Sequence, residues 1–164
     1  RLSLVGSEMC IRDSNSSFVI SGIELKNRSW SNTTGLIQGV TTITSSNEAK
    51  KDFNGFQNTQ SIAEYTHASA AYECTVTQFK NGQMGYLASV GEWMEIINNL
   101  DEINRCMSLI DGLDIDEGAT SYWTSTQYNY EKAWLVTYNG NEFYPNNERK
   151  GVSFYAIRVI SQLI

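Results

Sequence analysis

Histidine, proline and cysteine are scarce in this sequence of 164 residues, which holds one, one and three of them respectively. The lone histidine, His67, has no acidic or cysteine ligand pattern around it, so we interpret it as a helix residue rather than a catalyst. The 12 basic residues are scattered and are outnumbered by 18 acidic ones, which gives a net charge of -6. That balance argues against a nucleic-acid partner, because affinity for phosphate comes mostly from clustered Lys and Arg. No apolar run approaches the roughly 18 residues that a membrane span requires, so we expect no membrane insertion.

The length and composition predict one globular domain. With 41% hydrophobic residues, the chain can bury a core without disulfides or metals. Residues 1–14 read RLSLVGSEMCIRDS and resemble a translated sequencing adapter, so we expect a non-native leader; a genuine N-terminal strand is the alternative. Residues 15–50 are rich in Ser, Thr, Asn and Gly, and their apolar pulses at 18–20 and 36–43 predict two or three strands and polar loops. Residues 51–164 are expected to form the main domain.

Helices are predicted in the middle of the chain. A turn at residues 52–55 leads into a helix over about 59–74, for which Ser61 and Glu64 have capping-box spacing and Thr59 or Ser61 would be the N-cap. Ser89 and Glu92 form a clearer capping box, followed by an apolar stripe at residues 93, 96, 97 and 100. A further helical segment starts at Asp101 and is expected to stop at residues 111–112.

Cys74 and Cys106 fall on predicted helices among apolar neighbours, which favours two buried, reduced thiols over a disulfide. Acidic residues follow in the next loop, at Asp114, Asp116 and Glu117. Alternating carboxylates could coordinate calcium, but the spacing lacks the remaining ligands and the glycine of an EF-hand loop, so a solvated loop is favoured. No cofactor and no metal site is predicted.

Tyrosine and tryptophan concentrate near the C-terminus, where residues 122–155 hold six of the nine tyrosines and two of the four tryptophans. The pattern predicts strands at 122–126, 133–138 and 152–160. The pair Asn139-Gly140 predicts a two-residue turn, which would pair Val136 with Phe143 and Leu135 with Tyr144. Trp134, Val136 and Phe143 would then face the core, whereas Leu135, Thr137, Glu142 and Tyr144 would face solvent or a ligand.

A face of tyrosine and asparagine suits recognition, because the tyrosine ring offers large contact area with few torsions to freeze and short amides form adaptable hydrogen bonds. On composition alone the same residues are equally typical of an ordinary sheet, since tyrosine favours strands and asparagine favours turns.

The order of short motifs along the chain resembles that of a known protein family. Residues 52–55 (DFNG), 85–93 (GYLASVGEW), 122–127 (YWTSTQ), Ala133-Trp134 and 157–159 (IRV) resemble the C-type-lectin-fold variable proteins that retroelements diversify in gut bacteria and their phages. The sequence is also similar to the C-terminal domain of bacterial collagen-like adhesins. The resemblance covers about residues 50–160 and implies an α+β, C-type-lectin-like fold, with two main helices packed on a twisted antiparallel sheet and a variable region at about 122–158.

Adenine-directed mutagenesis of Asn codons yields Asn, Tyr, Ser, Thr or Leu, and the resemblance implies that positions of this type bind ligand. The matching residues are Tyr128, Asn129, Tyr130, Leu135, Thr137, Asn139, Tyr144, Asn146, Asn147, Ser153 and Tyr155. Trp123, Trp134 and Arg158 would be the fixed frame. Lys132, Glu142 and Lys150 do not fit this pattern, because an Asn codon changed only at its adenines cannot encode Lys or Glu. The calcium-dependent sugar motifs of animal lectins are absent from the sequence.

These observations lead to three hypotheses. The first is a non-enzymatic ligand-binding domain on a virion or bacterial cell surface, which recognises a protein or glycan target and forms a possible homo-oligomer. The second is an oxidase similar to formylglycine-generating enzymes, for which Cys74 and Cys106 are the candidate cysteine pair; their apolar helical contexts predict inert thiols. The third is a structural module of a fibre or adhesin, with the aromatic face buried against another subunit.

Deletion of residues 1–14 is expected to leave the melting temperature unchanged, because a foreign leader contributes no packing. Thermal unfolding of the full and shortened chains measures this, and a drop of several degrees would show that the segment packs on the domain.

Overall fold

The computed structural model describes residues 2–5, 8–12, 17–115 and 121–163, and side chains within residues 17–115 and 121–163 only. These segments contain five helices and eight strands. The helices are α1 (Ser46–Ala49), α2 (Gly55–Tyr65), α3 (Ala70–Thr75), α4 (Val90–Asn98) and α5 (Leu100–Leu109). The strands are β1 (Leu2–Val5), β2 (Glu8–Arg12), β3 (Ser17–Arg28), β4 (Gly85–Leu87), β5 (Ser121–Gln127), β6 (Lys132–Tyr138), β7 (Phe143–Arg149) and β8 (Tyr155–Gln162). The predicted α+β class is confirmed.

One sheet holds all the described strands, in the order β1-β2-β3-β8-β5-β6-β7, with β4 also paired to β8. The sheet is mixed rather than antiparallel as expected, because β5 and β8 run parallel where Tyr122 meets Ala156. β1 and β2 form an antiparallel hairpin at the edge of β3. Since β2 pairs with β3, the expectation that residues 1–14 contribute no packing is not met. That these residues are foreign to the natural chain stays a prediction.

The sheet is covered on both faces in its central strands. Side chains alternate between two apolar clusters along β5 and β6: Tyr122 and Val136 join the cluster with α4 and α5, whereas Trp123 and Leu135 join the one with α2 and α3. Successive residues of a strand point to opposite faces, so the two clusters lie on opposite sides of the sheet. A third, smaller cluster holds Trp134 beside Ala49 and Val90.

Two predictions about the N-terminal half are wrong. The apolar pulse at residues 36–43 forms no strand; it is a loop that buries Ile37 and Val40 and makes one isolated bridge, Thr42 to Gln127. The helix predicted over 59–74 is two helices, because the chain leaves helical geometry at Thr66 and the side chain of Ser69 caps α3. α2 begins at Gly55, so Ser61 and Glu64 lie inside it and do not cap it.

The predictions for the next two helices are confirmed. The Ser89 side chain and the Glu92 carboxylate form the reciprocal capping box at the start of α4, and Trp93 and Ile96 are buried. α5 ends just before Asp111, which has a φ of 57°. Both Cys74 and Cys106 are buried free thiols, as expected.

Buried hydrogen bonds connect three distant sequence motifs through Asp52. The Asp52 carboxylate accepts hydrogen bonds from the Asn58 amide at 3.1 Å and the Thr126 hydroxyl at 2.7 Å. Its backbone carbonyl accepts from the Ser89 hydroxyl at 2.6 Å and from the backbone N–H of Gly91 at 2.9 Å. Asp52 therefore joins the turn before α2 to the start of α4 and the end of β5.

Two glycines permit this close approach. A Cβ on Gly55 would lie 2.0 Å from the Glu92 carboxylate, and one on Gly91 would lie 2.4 Å from the carbonyl oxygen of Asp52. Any other residue at either position would push the two motifs apart.

The Glu92 carboxyl group is expected to titrate near neutral pH. Burial raises the pKa of Glu92 to about 7, although hydrogen bonds from Ser89 and Tyr86 act in the opposite direction. The donors are the Ser89 backbone N–H and hydroxyl, at 2.8 and 2.9 Å from Glu92 Oε2, and the Tyr86 hydroxyl, at 3.1 Å from Oε1.

This arrangement predicts a stability that falls as pH rises. The folded-state pKa is raised above its ordinary 4.5, so the stabilisation is complete below pH 4.5 and is lost as pH rises through 7, by about 3 kcal/mol. Glu92→Gln removes this titration. Urea unfolding of both proteins between pH 4.5 and 7.5 measures the difference, and parallel pH profiles would contradict the assignment.

Candidate functional site

The hairpin of β6 and β7 forms an edge of the sheet, and its register differs from the prediction. Tyr138 pairs with Phe143 and Leu135 with Asn146, a slip of two residues. The Asn139 side chain causes the slip, because its Oδ1 accepts from the backbone N–H groups of Asn141 and Glu142, both at 3.0 Å. The loop between β6 and β7 is therefore residues 139–142, with Gly140 at a φ of 98°.

A slip of two keeps every side chain on its predicted face. Trp134, Val136 and Phe143 are buried as expected. The prediction that Leu135 faces outward is wrong, since its side chain is 1% exposed. The physical reason is that both faces of β6 are covered at this point, so alternation does not separate buried from exposed residues. Leu135 is therefore a core residue.

The other ten predicted site residues are exposed or partly exposed. They fall into three places: the β5–β6 turn and the adjacent edge, the face of the hairpin together with the strand that follows it, and the hairpin loop. The first place holds Tyr128, Asn129, Tyr130 and Asn147; the second holds Thr137, Tyr144, Asn146, Ser153 and Tyr155; the third holds Asn139.

The turn between β5 and β6 holds its tyrosines in fixed positions. Asn129 Oδ1 accepts from the backbone N–H groups of Glu131 and Lys132 at 2.9 and 2.8 Å, which sets the turn. The Tyr128 ring packs edge-on against Trp134 at 5.1 Å between centroids. Tyr130 projects beyond it with 56% of its surface exposed. This turn presents one anchored ring and one free ring.

On the hairpin face, Tyr144 and Asn146 lie on the same side of β7 as Glu148. Burial, and then the Glu148 carboxylate, raise the pKa of Tyr155, and the Tyr155 ring meets Trp123 edge-on at 5.3 Å. Tyr144 is 37% exposed and Phe154 is 80% exposed. Phe154 was not a predicted site residue, although its position between Ser153 and Tyr155 in the predicted variable region was a usable signal.

The edge strand β7 carries the only proline of the chain, Pro145, opposite Val136. Proline has no backbone N–H to donate, and natural proteins place it on edge strands to discourage pairing with another chain. The β7 edge is therefore suited to present side chains rather than to extend the sheet.

The buried side chain of Lys150 connects the residues around the β5–β6 turn. Its side chain is buried, and Nζ donates to the Gly35 carbonyl and to Gln127 Oε1, both at 2.6 Å, while lying 4.8 Å from the centre of the Trp30 ring. Burial lowers the pKa of Lys150 to about 8. The backbone adds two bonds, from Lys150 N–H to the Glu131 carbonyl and from Ser31 N–H to the Lys150 carbonyl. From the sequence, Lys150 is recognised only as a residue that adenine-directed mutagenesis of an Asn codon does not produce. Its contact with Gly35 is not predictable, because the two residues lie 115 positions apart.

The residues expected to be a fixed frame are all buried: Trp123, Trp134 and Arg158. Arg158 pairs with Glu24 at 3.1 Å and donates to the carbonyls of Leu113 and Asp114, both at 2.8 Å. Glu24 also accepts from the Tyr122 hydroxyl at 2.6 Å. This ion pair joins β3 to β8 at the position where Glu24 and Arg158 are paired in the sheet.

The two cysteines lie apart, on opposite sides of the sheet, because Cys74 belongs to the α2–α3 cluster and Cys106 to the α4–α5 cluster. Burial raises the pKa of the Cys74 thiol. Neither side chain is positioned to act with the other.

In the described segments, no three His, Cys, Asp or Glu side chains gather as a metal site requires. Of the acidic loop that was considered for calcium, Asp114 is exposed, and Asp116 and Glu117 lie outside the described residues. The longest helix in the described part of the chain has 11 residues, short of a membrane span.

Comparison with known proteins gives one informative likeness. No protein-family model matches the sequence, and neither does any curated protein. The structure is similar to that of a fimbrial protein from Bacteroides ovatus ATCC 8483, with a TM-score of 0.63 and 18% sequence identity. The likeness covers 90% of this chain and 36% of the fimbrial protein, so the chain spans about a third of its length. At this identity the likeness shows a shared fold.

Lys150→Met should loosen the turn region. The substitution keeps an apolar stem but leaves the Gly35 carbonyl and Gln127 Oε1 without their donor, and we expect the free energy of unfolding to fall by about 1–3 kcal/mol. The amide protons of Gly35 and Ile37 should exchange faster, since they bond to the Tyr130 carbonyl and to Gln127 Oε1. Hydrogen exchange measures this, with the Leu87 amide as the distant control. An unchanged free energy of unfolding and unchanged exchange rates would contradict this role of Lys150.

Proposed function

We propose that this chain is a non-enzymatic ligand-binding domain of a bacterial surface structure, with its binding face around the β6–β7 hairpin. The observation that carries the proposal is the contrast between an exposed set of tyrosine and asparagine side chains and the buried frame that supports them. Preorganised aromatic side chains bind at a low entropic cost, because few torsions are frozen on contact. The target is a protein or glycan on another surface.

The surface location is supported by the fold shared with the fimbrial protein. That protein is named as fimbrial, fimbriae are fibres on bacterial surfaces, and we carry this location over as an inference. A virion surface, which the retroelement resemblance would equally allow, has no such support.

We further propose that the domain is a retroelement-diversified variable protein with a C-type-lectin-like fold. The support is that ten of the eleven positions matching adenine-directed output lie at the surface, whereas the three implied frame residues are buried. Such a division lets the face change while the fold persists. Sequencing the source genome tests this: we expect a reverse transcriptase gene near a second copy of the DNA for residues 122–158, differing mainly at adenines.

A non-enzymatic role is favoured over an oxidase similar to formylglycine-generating enzymes. That chemistry requires a reactive cysteine pair, and a thiol must ionise to act as a nucleophile. Cys74 and Cys106 are 0% and 6% exposed and lie in separate clusters. Alkylation of both thiols in the native protein should therefore be slow at neutral pH.

A structural module of a fibre is the second candidate function, and the fimbrial likeness is the observation that favours it. In that case the tyrosine face would be covered by a neighbouring subunit. Light scattering separates the two, because an oligomer that hides Tyr130 and Tyr144 supports assembly, whereas a monomer, or an oligomer that leaves them open, supports display.

The combined substitution Tyr128→Ala, Tyr130→Ala and Tyr144→Ala should reduce target binding at least 100-fold, since it removes three aromatic contacts from the face. Binding is measured on an array of purified extracellular proteins and surface glycans, using the unmodified chain to identify the ligand.

A control removes three exposed apolar side chains outside the face: Ile23→Ala, Val76→Ala and Leu109→Ala. This control should bind normally, and both variants should keep the near-UV circular dichroism of the parent. Equal affinity of the tyrosine variant and the parent for the target would contradict the proposal.

A further inference from the structure

A cleft outside the predicted variable region adjoins the turn that carries Tyr130. It has a volume of about 510 Å³ and is lined by Leu36, Ile37, Gln38, Ser61, Glu64 and Tyr65. One wall is α2, on which Ser61, Glu64 and Tyr65 share a face because they lie three and four residues apart. The other wall is the loop at residues 36–38. The volume falls within the range of small-ligand sites, which is roughly 300–1,000 Å³.

The loop wall is held rigidly against α2. Gly39 has a φ of 82°, and a Cβ there would lie 2.6 Å from the Ser61 hydroxyl, so a glycine is required for this approach. Gln127 Oε1 accepts from the backbone N–H of Ile37 at 3.2 Å, and the same oxygen accepts from Lys150. The cleft is therefore formed before any ligand arrives, which lowers the cost of binding.

The lining combines apolar surfaces with free hydrogen-bonding groups. Leu36 and Tyr65 are 60% and 53% exposed. The side chains of Gln38, Ser61 and Glu64 make no hydrogen bond to another described residue, so their polar atoms are available to a ligand. The carboxylate of Glu64 is the only charge on the lining, and it would repel an anion.

A backbone hydrogen bond connects the loop beside the cleft to the proposed binding face. The backbone N–H of Gly35 donates to the Tyr130 carbonyl at 2.7 Å, and a Cβ on Gly35 would lie 3.9 Å from the Tyr65 hydroxyl. Tyr130 itself is 56% exposed. The backbone of Gly35 therefore joins the loop wall of the cleft to the turn that carries Tyr130.

We propose that this cleft binds a neutral saccharide without calcium. The C–H face of a sugar ring packs against the Tyr65 ring, and its hydroxyl groups donate to the acceptors of Gln38 and Glu64, which are otherwise free. A hydroxyl-rich ligand satisfies polar groups and an aromatic ring together, which a purely apolar ligand does not. The proposal deepens the proposed function by giving it a constant sugar subsite beside the variable residues.

The test starts with the complete chain on a printed array of neutral oligosaccharides, with and without EDTA, followed by calorimetric titration of the strongest ligand. Binding should persist in EDTA. Tyr65→Ala should weaken it at least tenfold, and Gln38→Ala should weaken it severalfold, whereas Tyr65→Phe keeps the ring and should stay within about threefold of the parent.

Two controls separate this inference from the proposed function. Ile23→Ala removes an equally exposed apolar side chain elsewhere and should have no effect. The variant lacking Tyr128, Tyr130 and Tyr144 should keep most of its saccharide affinity. If that variant loses the saccharide while Tyr65→Ala and Gln38→Ala do not, the sugar binds the variable face and the cleft inference is overturned although the proposed function stands. Binding of proteins only, or of no saccharide on the array, also overturns it.

Discussion

The buried hydrogen bonds around Asp52 are the constraint on which the arrangement of this fold depends. One residue contributes its carboxylate to Asn58 and Thr126 and its carbonyl to Ser89 and Gly91, so three segments that are far apart in sequence meet at one point. A buried carboxylate is costly unless its hydrogen-bonding capacity is filled, and an incomplete set of partners would leave a polar group orphaned in the core. The network therefore favours one mutual placement of α2, α4 and β5 over looser alternatives.

This placement decides what the C-terminal hairpin can do. β5 lies between the two helical layers, β6 pairs with β5, and β7 pairs with β6 as the edge strand of the sheet. The inner strands are buried on both faces, so they tolerate little change. The outer strand, the two turns and the segment before β8 reach solvent, and most of the tyrosine and asparagine residues of the candidate face lie there.

Two buried cations join distant segments of the chain in different ways. Arg158 has a carboxylate partner in Glu24 and joins strands. Lys150 contacts two oxygen acceptors and an aromatic ring and joins loops. Holding loops by a buried amine leaves the outer surface free of framework contacts, so the exposed residues can vary without loosening the turn. The cleft beside Tyr65 depends on the same clamp, because Gln127 connects its loop wall to Lys150.

Local signals in the sequence determined the α+β class, the capping box at Ser89, the end of α5 near Asp111 and the inward side of Trp134, Val136 and Phe143. Each of these depends on neighbours within a few residues, where spacing and capping chemistry act directly. The tertiary structure alone decided that the predicted first helix breaks at Thr66, that the hairpin slips by two residues around Asn139, and that Leu135 is buried. It also decided the roles of Lys150 and Tyr65, because a covered sheet face, a clamp across 115 residues and a cleft between a loop and a helix arise only when distant segments pack together.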